Sequence, residues 1–352
     1  MKENLKNKVK ILPITRLEKT ALKNKIFNSL DRNNPRKRYK FLAIAAMVSV
    51  VFCATFYLMF FNNYSSSSSI TEFVNSTEEI DFSKAGEIVL ILGNGENLEI
   101  EEDKSNIQYS NSGKTITIGG QKEIKQEISR NNKKAFNTIM IPYGKRSKIM
   151  LSDGTTVWLN SGSKLVYPVA FNSDRREVYL EGEAIFDVSH DKNHPFIVLS
   201  SDQEIEVLGT VFGVTNYTDE RAIKTVLKSG SVQISYHNDP SHLYTDKIKI
   251  TPGTKATYNK STKSIVSEKV NVDNYFSWRE GVLVFQNNDL EYVINRISKF
   301  YNMDVEIQNK ELLKERFSGS LDLNESIHKV IENIALSTNL NYIIKDDKVI
   351  IN

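Results

Sequence analysis

The chain has 352 residues, with 46 basic and 43 acidic side chains and a formal net charge of +3. Hydrophobic residues make up 40% and charged residues 25%, a composition that excludes a disordered, collagen-like or fibrous protein. The length predicts two or three domains, each able to bury a core. The single cysteine, Cys53, excludes an intrachain disulfide and a cysteine-based zinc site.

The positive charge is concentrated at the N-terminus. Residues 1–40 contain 13 basic and three acidic side chains, a net of +10, whereas the other 312 residues carry 33 basic and 40 acidic ones. A basic tail alone could suggest nucleic acid, but the segment that follows favours a basic cytoplasmic tail, residues 1–40, next to a membrane. The acidic balance of the remainder argues against direct binding of nucleic acid.

Residues 41–61 predict a transmembrane helix. These 21 residues carry no charge, and as a helix they would rise about 31 Å, which matches a hydrocarbon core of roughly 30 Å. Basic residues precede the segment, and no charge follows until Glu72. The positive-inside rule therefore predicts a single pass with the N-terminus in the cytoplasm. A cleaved signal peptide would have a shorter apolar region nearer the N-terminus.

Apolar residues in the tail recur at helical spacing. Leu22, Ile26 and Leu30 lie four residues apart, with Leu17 upstream. Two interpretations remain open. This segment is a docking helix for a cytoplasmic partner, or it is a basic helix that lies on anionic membrane lipid.

A serine-rich linker, residues 62–80, precedes a region with the pattern of short strands and turns, residues 81–272. Its period-two stretches and turn signals predict a mainly antiparallel β domain, either a sandwich or an irregular solenoid. The predicted turns include Ser152-Asp153-Gly154, Glu181-Gly182 and Ser229-Gly230. Residues 88–100 resemble residues 147–159 as strand, turn and strand, a weak repeat that stacked hairpins would produce.

The last 75 residues, 278–352, change to helical periodicity. Two amphipathic stretches, which begin near Leu290 and Ile327, are each followed by a strand and repeat at an offset of 37 residues. Asn288 and Glu291 predict a capping box, and Asn302 and Asn339 predict left-handed caps. We therefore expect a duplicated β-α-β unit that forms a small α/β domain.

Several signals of enzyme chemistry fail on inspection. Gly113-Lys114-Thr115 lacks the upstream glycine of a phosphate-binding loop, and His190 and His194 flank a turn rather than share a helical face. Asp153 and Glu183 could suggest a catalytic carboxylate pair, but Asp153 suits a hairpin turn and Glu183 an edge or network position. We predict that the chain is not an enzyme and binds no metal or cofactor.

Aromatic residues are frequent in the strand-like stretches. Packing in the core is the expected role, and a platform for stacking sugars is the alternative. The residues concerned are Trp158, Tyr167, Phe171, Phe186 and Phe196.

Residues 142–232 resemble the FecR-type periplasmic domain of transmembrane anti-sigma regulators. The matching motifs include Leu-Ser-Asp-Gly-Thr at 151–155, Val-Trp-Leu-Asn at 157–160 and Leu-Gly-Thr at 208–210. The residues of the motif that we expect to be structural are Asp153, Gly154, Trp158, Asn160, Gly182, Glu183, Gly209, Thr210, Phe212 and Gly230. From about Trp278 the chain resembles the C-terminal domain of such regulators, and its repeat is similar to the STN domain of TonB-dependent receptors.

The resemblance implies a signalling function in the bacterial inner membrane. The signalling domain of an outer-membrane TonB-dependent receptor would contact the C-terminal domain in the periplasm. The cytoplasmic tail, through Leu17, Leu22, Ile26 and Leu30, would control an extracytoplasmic-function sigma factor. The alternative is a membrane-anchored periplasmic binding or scaffold protein without sigma-factor output.

Two features depart from the family pattern. Gly213 stands where an asparagine is frequent, and the tail of about 40 residues is shorter than the usual cytoplasmic anti-sigma domain. The short tail is the reason for keeping the scaffold alternative.

Overall fold

The computed structural model describes residues 15–30, 46–56, 69–76, 86–126, 135–171, 173–237, 245–338, 340–345 and 348–351. The chain divides into two compact units, Met1–Ser67 and Ser68–Asn352. In the first unit, the described residues form helices α1 (Arg16–Leu30) and α2 (residues 46–56). No helix among the described residues is both long enough and apolar enough to cross a membrane. The rest of the predicted span, residues 41–61, lies outside the described residues.

The second unit begins with helix α3 (Ser69–Asn75) and continues as β structure. The strands up to residue 269 are β1 (Ile88–Ile91), β2 (Asn97–Ile100), β3 (Asn106–Tyr109), β4 (Thr115–Ile118), β5 (Lys122–Lys125), β6 (Phe136–Ile141), β7 (Ser147–Met150), β8 (Thr156–Leu159), β9 (Ser163–Pro168), β10 (Arg176–Asp187), β11 (Phe196–Leu199), β12 (Gln203–Val207), β13 (Val211–Asn216), β14 (Ala222–Ser229), β15 (Val232–His237), β16 (Thr245–Ile250), β17 (Thr254–Asn259) and β18 (Ile265–Lys269).

These strands form two sheets that share β10. Sheet A has the order β2-β1-β6-β9-β10-β11-β12-β15-β16. Sheet B has the order β5-β4-β3-β7-β8-β10-β13-β14-β17-β18. Of these pairs, only β10 with β11 and β3 with β7 are parallel. The prediction of a mainly antiparallel β domain is confirmed, and its form is a sandwich.

The core of the sandwich lies between the two sheets. Alternate residues of each strand face inward, as in Val178 and Leu180 of sheet A or Phe186 and Phe212 of sheet B. One continuous apolar cluster joins the two inner faces. The predicted core residues Tyr167, Phe186 and Phe196 belong to it, and Phe171 packs against its margin.

Strand β10 passes from one sheet to the other at Gly182. Its first half pairs with β9 and β11 in sheet A, and its second half pairs with β8 and β13 in sheet B. The prediction of a turn at Glu181-Gly182 is therefore wrong. Gly182 has φ +95°, which bends the strand without reversing it.

The two hairpins of the weak repeat are both present. β1 pairs with β2 and β7 with β8, each across a short turn. They belong to different sheets: β1–β2 lies at the edge of sheet A, and β7–β8 lies inside sheet B between β3 and β10.

The C-terminal region forms the predicted α/β domain. Its elements are α4 (Asp273–Phe276), β19 (Val282–Asp289), α5 (Leu290–Tyr301), β20 (Asp304–Ile307), β21 (Arg316–Asp322), α6 (Ile327–Thr338), β22 (Tyr342–Lys345) and β23 (Lys348–Ile351). The first strands of the two β-α-β repeats, β19 and β21, pair with each other in a two-stranded sheet. The other strands form a three-stranded sheet with the order β20-β23-β22.

The ends of α5 test two local predictions. Asn302 has φ 51° and ψ 47°, which confirms the left-handed cap, whereas Asn339 lies outside the described residues. The capping box is wrong, because Asp289 precedes the helix and no side chain caps it. Asn288 instead accepts a hydrogen bond from the Gln286 backbone amide at 2.8 Å, within an irregular part of β19.

Candidate functional site

The outer face of sheet B forms a platform for the C-terminal domain. Residues that alternate with the inner core point outward from β8, β10 and β14, among them Trp158, Ile185 and Val226. Ile185 and Val226 are buried because they pack with Phe276, Trp278 and other apolar residues of the C-terminal domain. We call this contact the domain seam.

A buried ion pair lies in the seam. Glu183 of β10 and Arg296 of α5 approach to 2.6 Å, and their side chains are 8% and 7% exposed. Asn160 Nδ2 donates a hydrogen bond to Glu183 Oε2 at 2.5 Å, and Thr215 Oγ1 donates to Oε1 at 3.2 Å. The carboxylate is thus held by the sandwich and neutralised by the C-terminal domain.

Electrostatics keeps Arg296 charged in this buried position. Burial by itself lowers the pKa of Arg296, but the Glu183 carboxylate, with Tyr292 and Tyr217, outweighs burial and raises that pKa well above its usual value. Burial, followed by the negative charge of Glu183, raises the pKa of Tyr217 well above its usual value. Tyr217 is therefore neutral near the pair, and its hydroxyl donates to the Ser161 carbonyl at 2.8 Å.

A small cavity adjoins the ion pair. Its volume is about 10 Å³, and its lining is Asn160, Ser161, Tyr217, Leu283, Arg296, Lys299 and Phe300. Such a volume holds about one water molecule and is too small for a substrate or an organic cofactor. Within the described residues, no cluster of His, Cys, Asp and Glu has the arrangement of a metal site. The ion pair and the lining of the cavity join residues of the sandwich to residues of the C-terminal domain.

The loop between β6 and β7 contacts the C-terminal end of α5 and the segment before β19. The Gly144 amide donates to the Lys299 carbonyl at 2.9 Å, and Arg146 Nη1 donates to the Trp278 carbonyl at 2.7 Å. The Arg146 guanidinium also lies 5.0 Å from the centre of the Phe300 ring. Burial lowers the pKa of Arg146, in part opposed by Glu102.

Cations over aromatic rings surround the seam. The Lys224 ammonium lies 3.8 Å from the centre of the Tyr292 ring, and Lys299 forms an ion pair with Asp219 at 2.5 Å. Burial lowers the pKa of Lys224, but Tyr292 and Glu220 reverse this and leave it raised. Further cation–ring pairs across the seam are Lys228 with Phe276, Lys255 with Tyr275 and Arg279 with Trp158. Such pairs contribute roughly 0.5–2 kcal/mol each, depending on their exposure.

Gly213 provides room for an aromatic side chain of the C-terminal domain. A Cβ atom at this position would lie 3.6 Å from Cε2 of Phe276 and 3.8 Å from Cγ1 of Ile185. A methyl group would therefore be in ordinary contact, but a longer side chain would meet the ring. The departure from the family pattern at Gly213 coincides with the place where Phe276 packs.

The residues predicted from the FecR motif separate into two groups. Trp158, Asn160 and Glu183 lie at the seam. Glu183 directly follows the strand crossing at Gly182, and Trp158 and Asn160 come from β8 and the residue after it. The others lie within the sandwich and away from the seam.

Asp153 and Gly154 form the tip of the β7–β8 hairpin. Asp153 Oδ1 accepts a hydrogen bond from the Thr155 amide at 3.0 Å, and Oδ2 pairs with Arg176 Nη1 at 2.7 Å. Gly154 has φ +85°. This second buried ion pair fixes the hairpin against β10.

Gly209, Thr210 and Gly230 pack against one another where β13 begins and β14 ends. Thr210 Oγ1 donates to the Ser231 carbonyl at 3.1 Å. A Cβ at Gly230, which has φ +90°, would lie 2.7 Å from that Oγ1 atom. Phe212 follows them and stacks on Phe186 in the inner core, with ring centres 5.2 Å apart.

The residues predicted in the tail lie along α1. Leu17, Leu22 and Ile26 are 84%, 56% and 52% exposed, and Leu30 is the last residue of the helix.

Sequence reasoning missed the residues of the C-terminal domain that complete the seam. Arg296 and Lys299 are buried in α5 together with Val293 and Ile297, although both lie to the side of the apolar face that the periodicity marks. On the helical pattern alone they belong to the polar side, so the sequence carried no signal of their burial.

Comparisons with known proteins agree with this architecture. Residues 137–233 match the model of the FecR protein family, and residues 282–351 match the model described as FecR, C-terminal. No match was found among curated proteins.

Two solved structures of an anti-sigma factor candidate from Parabacteroides distasonis ATCC 8503 are similar to this chain. The one at 1.65 Å resolution has 26% sequence identity and a TM-score of 0.57, and it covers 61% of this chain and 98% of its own. The one at 2.50 Å has 25% identity with the same TM-score and coverage.

The two matched segments are the sandwich strands β6 to β15 and the α/β domain that packs on sheet B. The chain therefore carries a segment that matches the FecR family, followed by a segment that matches FecR, C-terminal.

Proposed function

We propose that the chain is a transmembrane anti-sigma factor that relays a signal from a TonB-dependent outer-membrane receptor to an extracytoplasmic-function sigma factor. The observation that carries the proposal is the pair of FecR domains, together with the likeness to the anti-sigma factor candidate over 61% of the chain.

The proposed topology is a single pass through the bacterial inner membrane. The support is the uncharged segment 41–61, the net charge of +10 before it and the acidic sequence after it. Residues 1–40 would be cytoplasmic, and the sandwich and C-terminal domain periplasmic. In a Cys53→Ser background, Ser110→Cys should react with a membrane-impermeant maleimide in spheroplasts, and Thr20→Cys should react only after lysis. The reverse pattern would reject the topology.

The proposed output element is α1. A 15-residue helix that exposes Leu17, Leu22 and Ile26 offers apolar anchors at helical spacing, which suits docking in a groove of a sigma factor. Contact with anionic membrane lipid is the competing role, since basic residues alternate with these positions.

The proposed input element is the C-terminal domain, acting as an STN-like module. Among the strands that the structure describes, β20 and β22 each pair with β23 alone, so each offers an edge to a strand of the receptor's signalling domain. β20 carries Asp304 and Glu306, both paired with Lys348, and such charges protect an edge. β22 exposes Ile343 and is the edge that we favour.

The output is tested by affinity purification of the full-length protein from gently solubilised native cells. We expect a sigma factor to be recovered with the unaltered protein and lost with the Leu22→Asp and Ile26→Asp double variant. Asn24→Asp, on the same helix and also exposed, adds a negative charge without removing an apolar anchor and should retain the sigma factor.

Two other outcomes would redirect the assignment. Recovery of a receptor but no sigma factor with the unaltered protein would favour the membrane-anchored scaffold. Loss of flotation with anionic vesicles in the double variant, with sigma-factor recovery unchanged, would assign α1 to lipid.

The input is tested with Ile343→Asp, which should lose the receptor in the same purification. Asn341→Asp, exposed just before β22, should keep it. Equal recovery of the receptor with both variants would reject the β22 edge.

A further inference from the structure

Helix α3 lies on the outer face of sheet A. It contacts β9 and β10, its Ile70 is fully buried, and the ring of Phe73 lies 5.3 Å from that of Phe136. Val166 of β9 is also fully buried, although it points away from the inner core of the sandwich. α3 therefore covers this part of sheet A, on the opposite side of the sandwich from the C-terminal domain.

This helix is too short to be stable by itself. With seven residues it is well below the roughly 12 that an isolated helix needs to form in water, so it is helical only while docked. Ile70 is its one fully buried side chain among those described and Phe73 is half-buried, so a small buried apolar area must offset the ordering entropy of the segment. Release of α3 is therefore an order-to-disorder transition of a short segment.

Strands β9 and β10 connect the surface under α3 on sheet A with the surface of sheet B that carries the C-terminal domain. The Glu183 amide donates to Ser163 Oγ at 2.8 Å, and that hydroxyl donates to the Glu183 carbonyl at 3.0 Å. Ser163 begins β9, three residues before Val166 under α3. The Glu183 side chain pairs with Arg296 at 2.6 Å in the seam. One residue is thus fixed both to the strand beneath α3 and to the C-terminal domain.

We propose that docking of α3 on sheet A and docking of the C-terminal domain on sheet B are thermodynamically coupled through β9 and β10. Loosening the C-terminal domain then favours release of α3, the first described element after the predicted membrane span. The use of this coupling in signalling rests on the proposed function, whereas the coupling itself does not.

Hydrogen exchange with mass spectrometry on the full-length protein in mild detergent tests the coupling. Ile70→Ala should release α3 and speed exchange of α5 by at least about fivefold, the lower end of typical couplings between sites. Glu72→Ala, exposed on the same helix, should leave α5 unchanged. Full exchange of α3 with unchanged α5 would overturn the proposal, as would an unprotected α3 in the unaltered protein.

The reverse direction gives an independent reading. Because coupling is reciprocal, Arg296→Gln should speed exchange of α3 by a similar factor. Arg316→Gln, in an exposed ion pair of the same domain, should not. Peptides from β14 report any unfolding of the sandwich, and if Ile70→Ala unfolds it, the Arg296→Gln result decides. Sigma-factor recovery plays no part in these rates, so failure of the proposed function is distinguishable.

Discussion

Glu183 and Arg296 lie 113 residues apart in the sequence and meet at 2.6 Å across the seam between the two FecR domains. Glu183 belongs to β10, the strand that the two sheets share, and Arg296 belongs to α5 of the C-terminal domain. Glu183 follows the point where β10 changes sheets, and the Arg296 side chain is buried. Their contact makes the position of the C-terminal domain depend on the strand that both sheets share.

Removing one partner of this pair should destabilise the protein strongly. Glu183→Gln or Arg296→Met leaves the other charge buried without its counter-charge, which costs about 3–5 kcal/mol. We expect the double variant to lose at least about 1 kcal/mol less than the sum of the single losses, as contacting residues do. Urea unfolding of the full-length protein in mild detergent, followed by fluorescence, measures this. The chain's two tryptophans, Trp158 and Trp278, both lie at the seam.

An exposed ion pair of the C-terminal domain provides the control. Asp289→Asn and Arg316→Met remove a pair whose side chains are about half exposed, and each should change the unfolding free energy by less than about 1 kcal/mol. Additive losses for Glu183 and Arg296 would contradict the assigned contact.

The contact of Gly213 with Phe276 predicts a size threshold. Gly213→Ala should be tolerated, because its Cβ would meet the ring at 3.6 Å. Gly213→Asn should displace Phe276 and cost about 1–3 kcal/mol, as overpacking does. The fluorescence maximum should shift to the red only in the asparagine variant. In a Phe276→Ala background, Gly213→Asn should cost nothing further, and an undiminished cost there would place the strain elsewhere.

The crossing at Gly182 should not accept any side chain. A Cβ there would lie 2.5 Å from Ser163 Oγ and 2.6 Å from its Cα, at a backbone φ of +95°. Gly182→Ala should cost more than about 1 kcal/mol from the backbone alone, with the steric clash in addition. Gly86→Ala is the matched control, because no atom lies within 4 Å of its Cβ position. Equal melting temperatures for the two variants would exclude the tight crossing.

Alkaline pH should weaken the sandwich through its buried tyrosines. Burial raises the pKa of Tyr109 to about 12, although hydrogen bonds with Tyr167 and Asn137 oppose it. In the unfolded chain the tyrosine hydroxyl deprotonates near pH 10, whereas in the folded protein it stays neutral up to about pH 12. The raised pKa therefore contributes stability that is complete below pH 10 and is lost as pH rises towards 12. For Tyr109 the loss should reach about 2 kcal/mol by pH 12.

The measurement is the free energy of unfolding between pH 9 and 12. Tyr109→Phe should flatten the decline, while Tyr342→Phe, which is half-buried in β22, should leave its slope unchanged. A decline that is identical in the Tyr109→Phe variant would assign the alkaline sensitivity to other groups.

Local features of the fold were predictable, and long-range ones were not. The turn at Asp153-Gly154 and the cap at Asn302 depend on neighbouring residues, and both are present. Gly182 has the same local sequence pattern as a turn residue. Only the pairing of β10 with both sheets shows that the chain bends there without reversing.

Prediction of the candidate site was limited in the same way, because its contacts are long-range. Strand alternation places Trp158 and Glu183 on the outer face of a sheet, where exposure is the ordinary expectation. The core interpretation of Trp158 therefore failed in detail, because Trp158 packs at the seam rather than between the sheets. No residue near Glu183 in the sequence indicates that Arg296 is its partner. The outer face of sheet B is buried only because the C-terminal domain docks on it.

The sharing of β10 also has a consequence for the order of folding. Its partners β8, β9, β11 and β13 all lie between residues 156 and 216, whereas β1–β6 and β3–β7 join more distant segments. Short loops close at a lower entropic cost, so these pairings of β10 should form first and organise both layers at once. In pulse-labelled refolding, we expect the amides of β10 to gain protection before those of β1 and β3. The platform for α5 would then exist before the C-terminal domain emerges to occupy it during synthesis.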